Sequence, residues 1–222
     1  FSFPTQADDS LVAHYTFEEG PSETVHDWSG WGNHGEIVDD IQFVKLDGDA
    51  GYVFQFNNGK ALVDCGKVAS LDLTKALTLA LWFQPQSRVD QGEGGIIGKM
   101  MGSYCLSYSG KAWFYAPGGS NYAASKPLGD GWTHIAVTYD GKLLRIYLDG
   151  KLQNTVPSKV TELPQGENFY LRFPNTYLTV EPEYKCRMDN VRVYNRPLST
   201  DEIIRVYQEE AKANGLHNVA LF

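Results

Sequence analysis

Apolar and polar residues alternate in short runs along most of the chain, and Gly, Pro, Asn or Asp bounds each run. Runs of this kind, rich in β-branched and aromatic residues, are typical of antiparallel strands with one face in a core. The pattern predicts strands at 11–17, 52–56, 77–83, 104–108, 112–116, 132–139, 143–149, 168–173 and 187–195. So many antiparallel strands in one chain imply a sandwich of two packed sheets.

Two Asp-Gly pairs connect three of these strands. Asp140-Gly141 and Asp149-Gly150 each lie between alternating runs, and Asp-Gly favours hairpin turns whose twist matches the paired strands. Residues 132–156 are therefore predicted to form a three-stranded meander. The sequence Gly-Glu-Gly-Gly at 92–95 lacks the Lys-Ser or Lys-Thr of a phosphate-binding loop and is interpreted as a turn.

One helix is predicted, close to the C-terminus. Ser199 and Glu202 have the spacing of a capping box, in which each side chain bonds the other residue's backbone N–H. An apolar stripe at helical spacing follows at Ile203, Val206 and Tyr207. The fold class predicted is all-β: a two-sheet antiparallel jelly-roll sandwich with one short C-terminal helix.

The 222 residues read as one domain at 11–210, with an N-terminal extension at 1–10 and a C-terminal tail at 211–222. The formal charge of −8 disfavours nucleic acid and anionic lipid as partners, because both repel an acidic surface. No apolar run approaches the roughly 20 residues of a membrane-spanning helix. The chain begins at Phe1 rather than methionine, so we expect removal of an upstream segment and a secreted, periplasmic or cell-surface location.

The three cysteines, Cys65, Cys105 and Cys186, are too few and too far apart for a disulfide framework or a zinc cluster. We interpret them as small buried apolar residues. A disulfide between one pair in an oxidising compartment stays open as an alternative.

Five segments in order resemble one known family. They are LVAHYTFEEG, DWSGWGNHGEI, SLDLTKALTLALWFQP, GWTHIAVTYDGKLLRIYLDGK and MDNVRVYNRPLSTDEI. The chain thereby resembles the laminin-G-like jelly rolls of the concanavalin A-like lectin/glucanase superfamily, in particular the bacterial type found beside polysaccharide-degrading enzymes. The resemblance spans about residues 11–206 and implies two antiparallel sheets, one of them concave, and recognition of a glycan or polysaccharide. It also implies a possible adjacent catalytic domain or protein partner.

The resemblance further implies a structural calcium ion. Its ligands would be Glu18, Asn33, the Gly35 carbonyl and Asp189, which supply the oxygen donors that calcium prefers. Asp27 is interpreted as a turn-former whose carboxylate accepts from nearby backbone N–H groups. A metal-free loop held by such turns is the alternative. His26 and His34 lack a third ligand at useful spacing, so a transition metal is disfavoured.

No catalytic strand motif is present. Jelly-roll glucanases carry Glu-x-Asp-x-Glu on one strand, and the chain has no such run. We therefore predict a non-catalytic, lectin-like module. A glycan-active hydrolase or lyase with acids from separate strands, and a protein-binding or structural laminin-G-like module, are the alternatives.

The strand AWFYA supplies the predicted sugar site. Trp113 and Tyr115 alternate with Ala112, Phe114 and Ala116, so the two larger rings share a face that we expect to be concave and exposed to solvent. Aromatic faces with nearby amides are typical of sugar sites. The remaining candidates are Asn121 and Tyr122 in the next loop and, secondarily, Arg172 and Tyr177 in a rim loop at 172–184. Ordinary cross-strand aromatic pairing is the alternative.

Overall fold

The computed structural model describes residues 8–46, 51–58, 60–87, 93–99, 103–118, 120–173 and 184–213. The described residues form sixteen strands and one α-helix. In chain order they are β1 (Leu11–Tyr15), β2 (Thr24–Val25), β3 (Gly35–Val38), β4 (Ile41–Lys45), β5 (Tyr52–Phe56), β6 (Leu62–Asp64), β7 (Leu77–Pro85), β8 (Gly94–Lys99), β9 (Cys105–Tyr108), β10 (Lys111–Tyr115), β11 (Tyr122–Pro127), β12 (Thr133–Tyr139), β13 (Leu143–Leu148), β14 (Lys151–Pro157), β15 (Phe169–Phe173), β16 (Cys186–Tyr194) and α1 (Thr200–Ala213).

The strands form two antiparallel sheets of eight strands each. Sheet A runs β14-β13-β12-β7-β16-β5-β4, with β1 also paired to β16. Sheet B runs β11-β10-β9-β8-β15-β6-β3-β2. A single large apolar core lies between them and draws residues from both sheets. The predicted jelly-roll sandwich with a short C-terminal helix is confirmed.

Strand β7 shows how the helix completes the fold. Leu79 and Leu81 belong to the core between the sheets, whereas Ala80 and Trp82 point to the outer face of sheet A, and all four are buried. Helix α1 covers that outer face. A strand buried on both sides has no polar face, which explains why β7 reads as a continuous apolar run.

Helix α1 begins at the predicted capping box. The Ser199 N–H donates to the Glu202 carboxylate at 2.8 Å, and the Glu202 N–H donates to the Ser199 hydroxyl at 3.3 Å. Ile203 and Tyr207 are buried against sheet A. Among the described residues, no helix is long and apolar enough to cross a membrane.

The meander at 132–156 is also confirmed as β12, β13 and β14. At its second turn, Leu148 pairs with Lys151, and Asp149 and Gly150 adopt φ values of 49° and 73°. Positive φ at both central residues defines the tight turn that Asp-Gly favours. The first hairpin also forms, but Tyr139 pairs with Leu144 and only Gly141 has a positive φ, of 80°, so its turn is longer.

The interpretation of residues 92–95 as a turn is wrong for Gly94 and Gly95, which begin strand β8. A Cβ atom on Gly94 would lie 1.8 Å from the ring of Tyr184, and one on Gly95 would lie 2.4 Å from the ring of Phe173. The glycines make room for two aromatic rings, and no local pattern reveals such a close approach.

All three cysteines are buried, as interpreted from the sequence. Burial raises the pKa of each thiol, Cys65, Cys105 and Cys186, to about 12. Such thiols stay protonated at neutral pH, and a protonated thiol is a poor nucleophile.

Candidate functional site

Strand β10 places Trp113 and Tyr115 on the outer face of sheet B. Ala112 and Phe114 are fully buried in the core, whereas Trp113 and Tyr115 are partly exposed. This alternation is the one that the sequence predicted, because successive side chains of a strand point to opposite faces.

Tyr122 completes the aromatic group. It lies opposite Tyr115 in the register of β10 and β11. The rings of Trp113 and Tyr115 are nearly parallel, with centroids 6.2 Å apart and 17° between planes. The Tyr122 ring stands edge-on to Trp113 at 5.2 Å. We call these three residues the Trp113 patch.

The carboxylate of Glu93, the residue that precedes strand β8, adjoins the Trp113 patch. It accepts hydrogen bonds from the Tyr115 hydroxyl and the Ser107 hydroxyl, both at 2.6 Å. Burial first, and then the Glu93 carboxylate, raise the pKa of Tyr115, so its hydroxyl remains a donor at neutral pH. The arrangement fixes the ring of Tyr115 and leaves further carboxylate lone pairs for a ligand hydroxyl.

The Trp113 patch also carries a cation and an unpaired donor. The Lys111 ammonium lies 4.4 Å from the centroid of the Trp113 ring, within range of a cation–π contact. The indole N–H of Trp113 is buried and has no hydrogen-bond partner among the described residues. An unpaired buried donor costs about 1–3 kcal/mol, and an acceptor brought by water or a ligand would remove that cost.

Sequence reasoning missed Glu93, Ser107 and Lys111. Ser107 could have been found from its alternation on β9, and Lys111 from its position two residues before Trp113. Glu93 has no such signal, because it precedes two glycines that gave no strand pattern.

Asn121 does not join the exposed surface of the Trp113 patch. It is 1% exposed, and its side-chain amide donates to the Pro117 carbonyl at 2.7 Å. Its side-chain oxygen accepts from the Lys159 N–H at 3.2 Å. The residue therefore shapes the loop that precedes Tyr122.

Arg172 also lies away from the Trp113 patch. It is 1% exposed, its guanidinium donates to the Ala61 carbonyl at 2.8 Å, and it lies 5.1 Å from the centroid of the Tyr184 ring. These contacts belong to the protein interior. Tyr177 falls outside the described residues.

Asp27 organises the loop between β2 and β3. Its carboxylate accepts from the backbone N–H groups of His14, Ser29 and Asn33, each at 2.9 Å. It also accepts from the Ser29 hydroxyl at 2.8 Å. The interpretation of Asp27 as a turn-former is confirmed.

The four residues named as calcium ligands are only partly brought together. Glu18 and Asp189 are close enough for their charges to interact, and burial together with nearby carboxylates raises the pKa of Asp189. Asn33 is engaged within the protein, since its amide donates to the Val12 carbonyl and accepts from the Ser70 hydroxyl, both at 2.7 Å. Gly35 is held in strand β3. An acidic pair fits calcium, whereas the Asn33 side chain would have to exchange its present partners.

Among the described residues, no group of three or more His, Cys, Asp or Glu side chains is arranged to hold a metal ion. The rings of His26 and His34 pack against each other with centroids 4.5 Å apart. The calcium ion predicted at Glu18, Asn33, the Gly35 carbonyl and Asp189 stays a prediction.

The outer face of sheet A carries a buried polar network that the sequence did not reveal. The Glu210 carboxylate of α1 accepts from the Trp82 indole N–H at 3.0 Å and from Arg192 at 2.5 Å. His134 is fully buried nearby, and its Nε2 lies 3.7 Å from Glu210, too far for a hydrogen bond. The network joins the helix to sheet A.

Comparison with known proteins defines the class. The family model Laminin_G_3, described as the concanavalin A-like lectin/glucanases superfamily, matches residues 41–204. The match covers well over half of the chain, so the protein belongs to this family. A search of curated proteins found no significant match.

Several solved structures share the fold. The binding domain of Paraclostridial Mosquitocidal Protein 1 matches with a TM-score of 0.74 and 17% identity over 92% of this chain and 53% of that one. The botulinum neurotoxin serotype G binding domain matches with a TM-score of 0.71 and 13% identity over 90% and 51%. The botulinum neurotoxin serotype D ligand-binding domain, solved with N-acetylneuraminic acid, matches with a TM-score of 0.70 and 13% identity over 90% and 51%. The chain spans about half the length of these structures, and the likeness shows the fold alone.

Proposed function

We propose that the protein is a non-catalytic, lectin-like module that binds a glycan or polysaccharide through the Trp113 patch. The observation that carries the proposal is an open aromatic surface beside an acceptor, with Trp113 and Tyr115 nearly parallel and Glu93 fixed between two hydroxyls. Aromatic rings stack on the C–H faces of sugars, and a carboxylate bonds their hydroxyls.

The family and the neighbours support the proposal at a general level. The family unites lectins with glucanases, and the serotype D neighbour was solved in complex with a sugar, N-acetylneuraminic acid. Because this chain matches only about half of that neighbour, the bound sugar does not locate a site in this chain. The proposal therefore depends on the residues of this chain.

Affinity electrophoresis of the chain against a panel of soluble polysaccharides tests the proposal. We expect retardation by at least one polysaccharide and at least ten-fold weaker binding by Trp113→Ala. Leu152→Ala is the matched control, since it removes an apolar side chain that is 50% exposed on β14 of the other sheet. Equal retardation of wild type and Trp113→Ala would place binding elsewhere.

A reducing-sugar assay on the same mixtures tests the enzymatic alternative. Release of sugar would establish a hydrolase, and release of unsaturated products would establish a lyase. Retardation by no polysaccharide would favour the protein-binding or structural alternative.

The proposal includes a secreted, periplasmic or cell-surface location and a role beside a catalytic domain or protein in bacterial polysaccharide use. A structural calcium ion with Glu18, Asn33, the Gly35 carbonyl and Asp189 as its ligands is part of the same proposal. These parts rest on the family resemblance, and fractionation of the native host and elemental analysis of the purified protein test them.

A further inference from the structure

A second group of exposed rings lies in the loop of residues 26–34, which joins β2 to β3. Trp28 is 57% exposed and Trp31 is 53% exposed, the largest exposed fractions of any large apolar side chain among the described residues. Tryptophans contribute most to stability when they are buried. Their exposure in pairs indicates a surface with another role.

The loop holds these rings on a fixed backbone. Asp27 accepts from three backbone N–H groups, and the Trp28 N–H donates to the His14 carbonyl at 2.8 Å, which pins the loop to β1. Gly30 and Gly32, on either side of Trp31, have φ values of 92° and 74°, a conformation that other residues avoid. A surface ordered before binding loses less entropy when a ligand arrives.

A series of ring contacts leads from Trp28 to a cleft. The His26 ring packs between His34, at 4.5 Å, and Trp28, at 4.6 Å. His34 also lines a cleft of about 320 Å³ at the edge of sheet B. The polar side chains that line this cleft are Thr24, His34, Glu36 and Asp64.

The charged residues that line the cleft indicate what charge its ligand carries. Its lining contains two carboxylates and no Lys or Arg, so it offers no cation to pair with an anionic sugar, lipid or nucleic acid. It is also a poor cation site. Asp64 already accepts from Asn168 at 3.0 and 3.1 Å and from the Gly66 N–H at 2.7 Å, and Glu36 is exposed and therefore screened by solvent. Ring faces beside hydroxyl, imidazole and carboxylate groups suit an uncharged, hydroxyl-rich ligand.

We propose that Trp28, Trp31, His26, His34 and the adjoining cleft form a second sugar site, the Trp28 site, which binds uncharged saccharides. It lies at the opposite edge of sheet B from the Trp113 patch. Five inter-strand steps separate β10 from β3, which at about 4.8 Å each places the two sites about 24 Å apart.

Because Glu36 and Asp64 alternate with the buried residues Gly35 and Val63, the cleft lies on the outer face of sheet B, as the Trp113 patch does. Two sites on this face make the chain bivalent for a long polysaccharide. Once one site is bound, the second binds at a high effective concentration, and the two together exceed either alone by about 10²–10⁴-fold. The avidity rests on the proposed function of the Trp113 patch, whereas the Trp28 site itself does not.

The experiment compares four proteins: wild type, the double variant Trp28→Ala/Trp31→Ala, Trp113→Ala and Leu152→Ala. Each is run in affinity electrophoresis against neutral glucan, mannan, xylan and galactan and against an anionic polyuronate. A short oligosaccharide of the retained polymer is then titrated by calorimetry to count the sites. Melting curves verify folding, and we expect the double variant to melt like wild type because both rings are more than half exposed.

We expect two oligosaccharide sites in wild type and one in each site variant. Polymer binding should weaken about 10²-fold or more in either site variant and stay unchanged in Leu152→Ala. A single site that only Trp113→Ala removes would overturn the Trp28 site and keep the proposed function. A single site that only the double variant removes would keep the Trp28 site and overturn the placement at Trp113.

Two other outcomes overturn the Trp28 site. One is binding of the polyuronate that the double variant abolishes, because the site would then bind an anionic rather than an uncharged ligand. The other is self-association of wild type in sedimentation that the double variant abolishes without any sugar binding, because a second copy of the chain would then be the occupant.

Discussion

The outer faces of the two sheets use tryptophan in opposite ways. Trp82, on sheet A, is fully buried beneath α1, and its indole N–H donates to Glu210. Trp113, on sheet B, remains partly exposed, and its indole N–H has no partner among the described residues. Both rings point outward from a strand within a sheet. Helix α1 covers Trp82 and leaves Trp113 accessible to a ligand, so the difference between the two rings comes from the helix and not from the strand sequences.

The largest expected difference between the two faces is the loss in free energy of unfolding when each tryptophan is replaced with alanine. We expect Trp82→Ala to lower the free energy of unfolding by about 4 kcal/mol, because it leaves a cavity and removes a donor from Glu210. Trp113→Ala should cost about 1 kcal/mol or less, as is usual for positions outside the core. Urea unfolding measures both, and equal losses would contradict the contrast between the faces.

Glu210 tests whether the polar network holds the helix on sheet A. Glu210→Ala leaves the mostly buried Arg192 without its carboxylate, so we expect a loss of about 3 kcal/mol in unfolding free energy. Glu209→Ala is the matched control, because Glu209 is the exposed neighbour on the same helix. Similar unfolding curves for the two variants would show that the network adds little.

Removal of calcium tests the buried carboxylate Asp189 on strand β16 of sheet A. At a calcium concentration one hundred times its Kd, binding to the folded state adds about 2.7 kcal/mol. We therefore expect a chelator to lower the Tm by roughly 5–10 °C. Asp189→Asn should remove most of that difference. Identical melting with chelator and with calcium, together with elemental analysis that finds no bound metal, would reject the ion.

Near neutral pH the smallest effect is the one that His134 exerts on the outer face of sheet A beneath α1, and it grows as the pH falls. Burial, reinforced by the charge of Arg192, lowers the pKa of His134 to about 3, compared with about 6.5 in an unfolded chain. Between these values the unfolded state binds a proton that the folded state does not. The stabilisation is therefore complete above pH 6.5 and is lost as the pH falls towards 3.

The measurement compares wild type with His134→Gln from pH 7 to pH 4. Once the pH is well below 6.5, the free energy of unfolding of wild type should fall relative to that of His134→Gln by about 1.4 kcal/mol per pH unit. Burial raises the pKa of Glu210 to about 7, which opposes this trend between pH 4.5 and 7, but Glu210 is present in both proteins. The backbone partner Asp149 is also unchanged. Parallel pH profiles would contradict the assignment to His134.

Local patterns predicted a large part of the fold. The alternation on β10 placed Trp113 and Tyr115 on one face, the Asp-Gly pairs marked the meander, and Ser199 with Glu202 marked the start of α1. Each of these signals acts over a few residues, through strand pleat, turn conformation or hydrogen bonds between neighbours. These local structures therefore depend little on how the rest of the chain packs.

The candidate site was only partly predictable. Tyr122 joined Trp113 because register brings β11 beside β10. Asn121 and Arg172 were proposed as loop residues, but both side chains are buried, Asn121 against Pro117 and Lys159, and Arg172 against Ala61 and Tyr184. Glu93 was missed because its hydrogen-bond partners on β9 and β10 lie 14 and 22 positions away in the sequence.

The strand periodicity, the turns, the start of the helix and the family can be read from the sequence, because these depend on neighbouring residues or on motif order. Which outer face is covered follows only from how the helix packs on the sheets. Helix α1 buries Trp82 beside Glu210, while sheet B leaves Trp113 open and places the exposed loop of Trp28 at its far edge. Burial depends on which segments pack together, and that packing is a property of the whole chain.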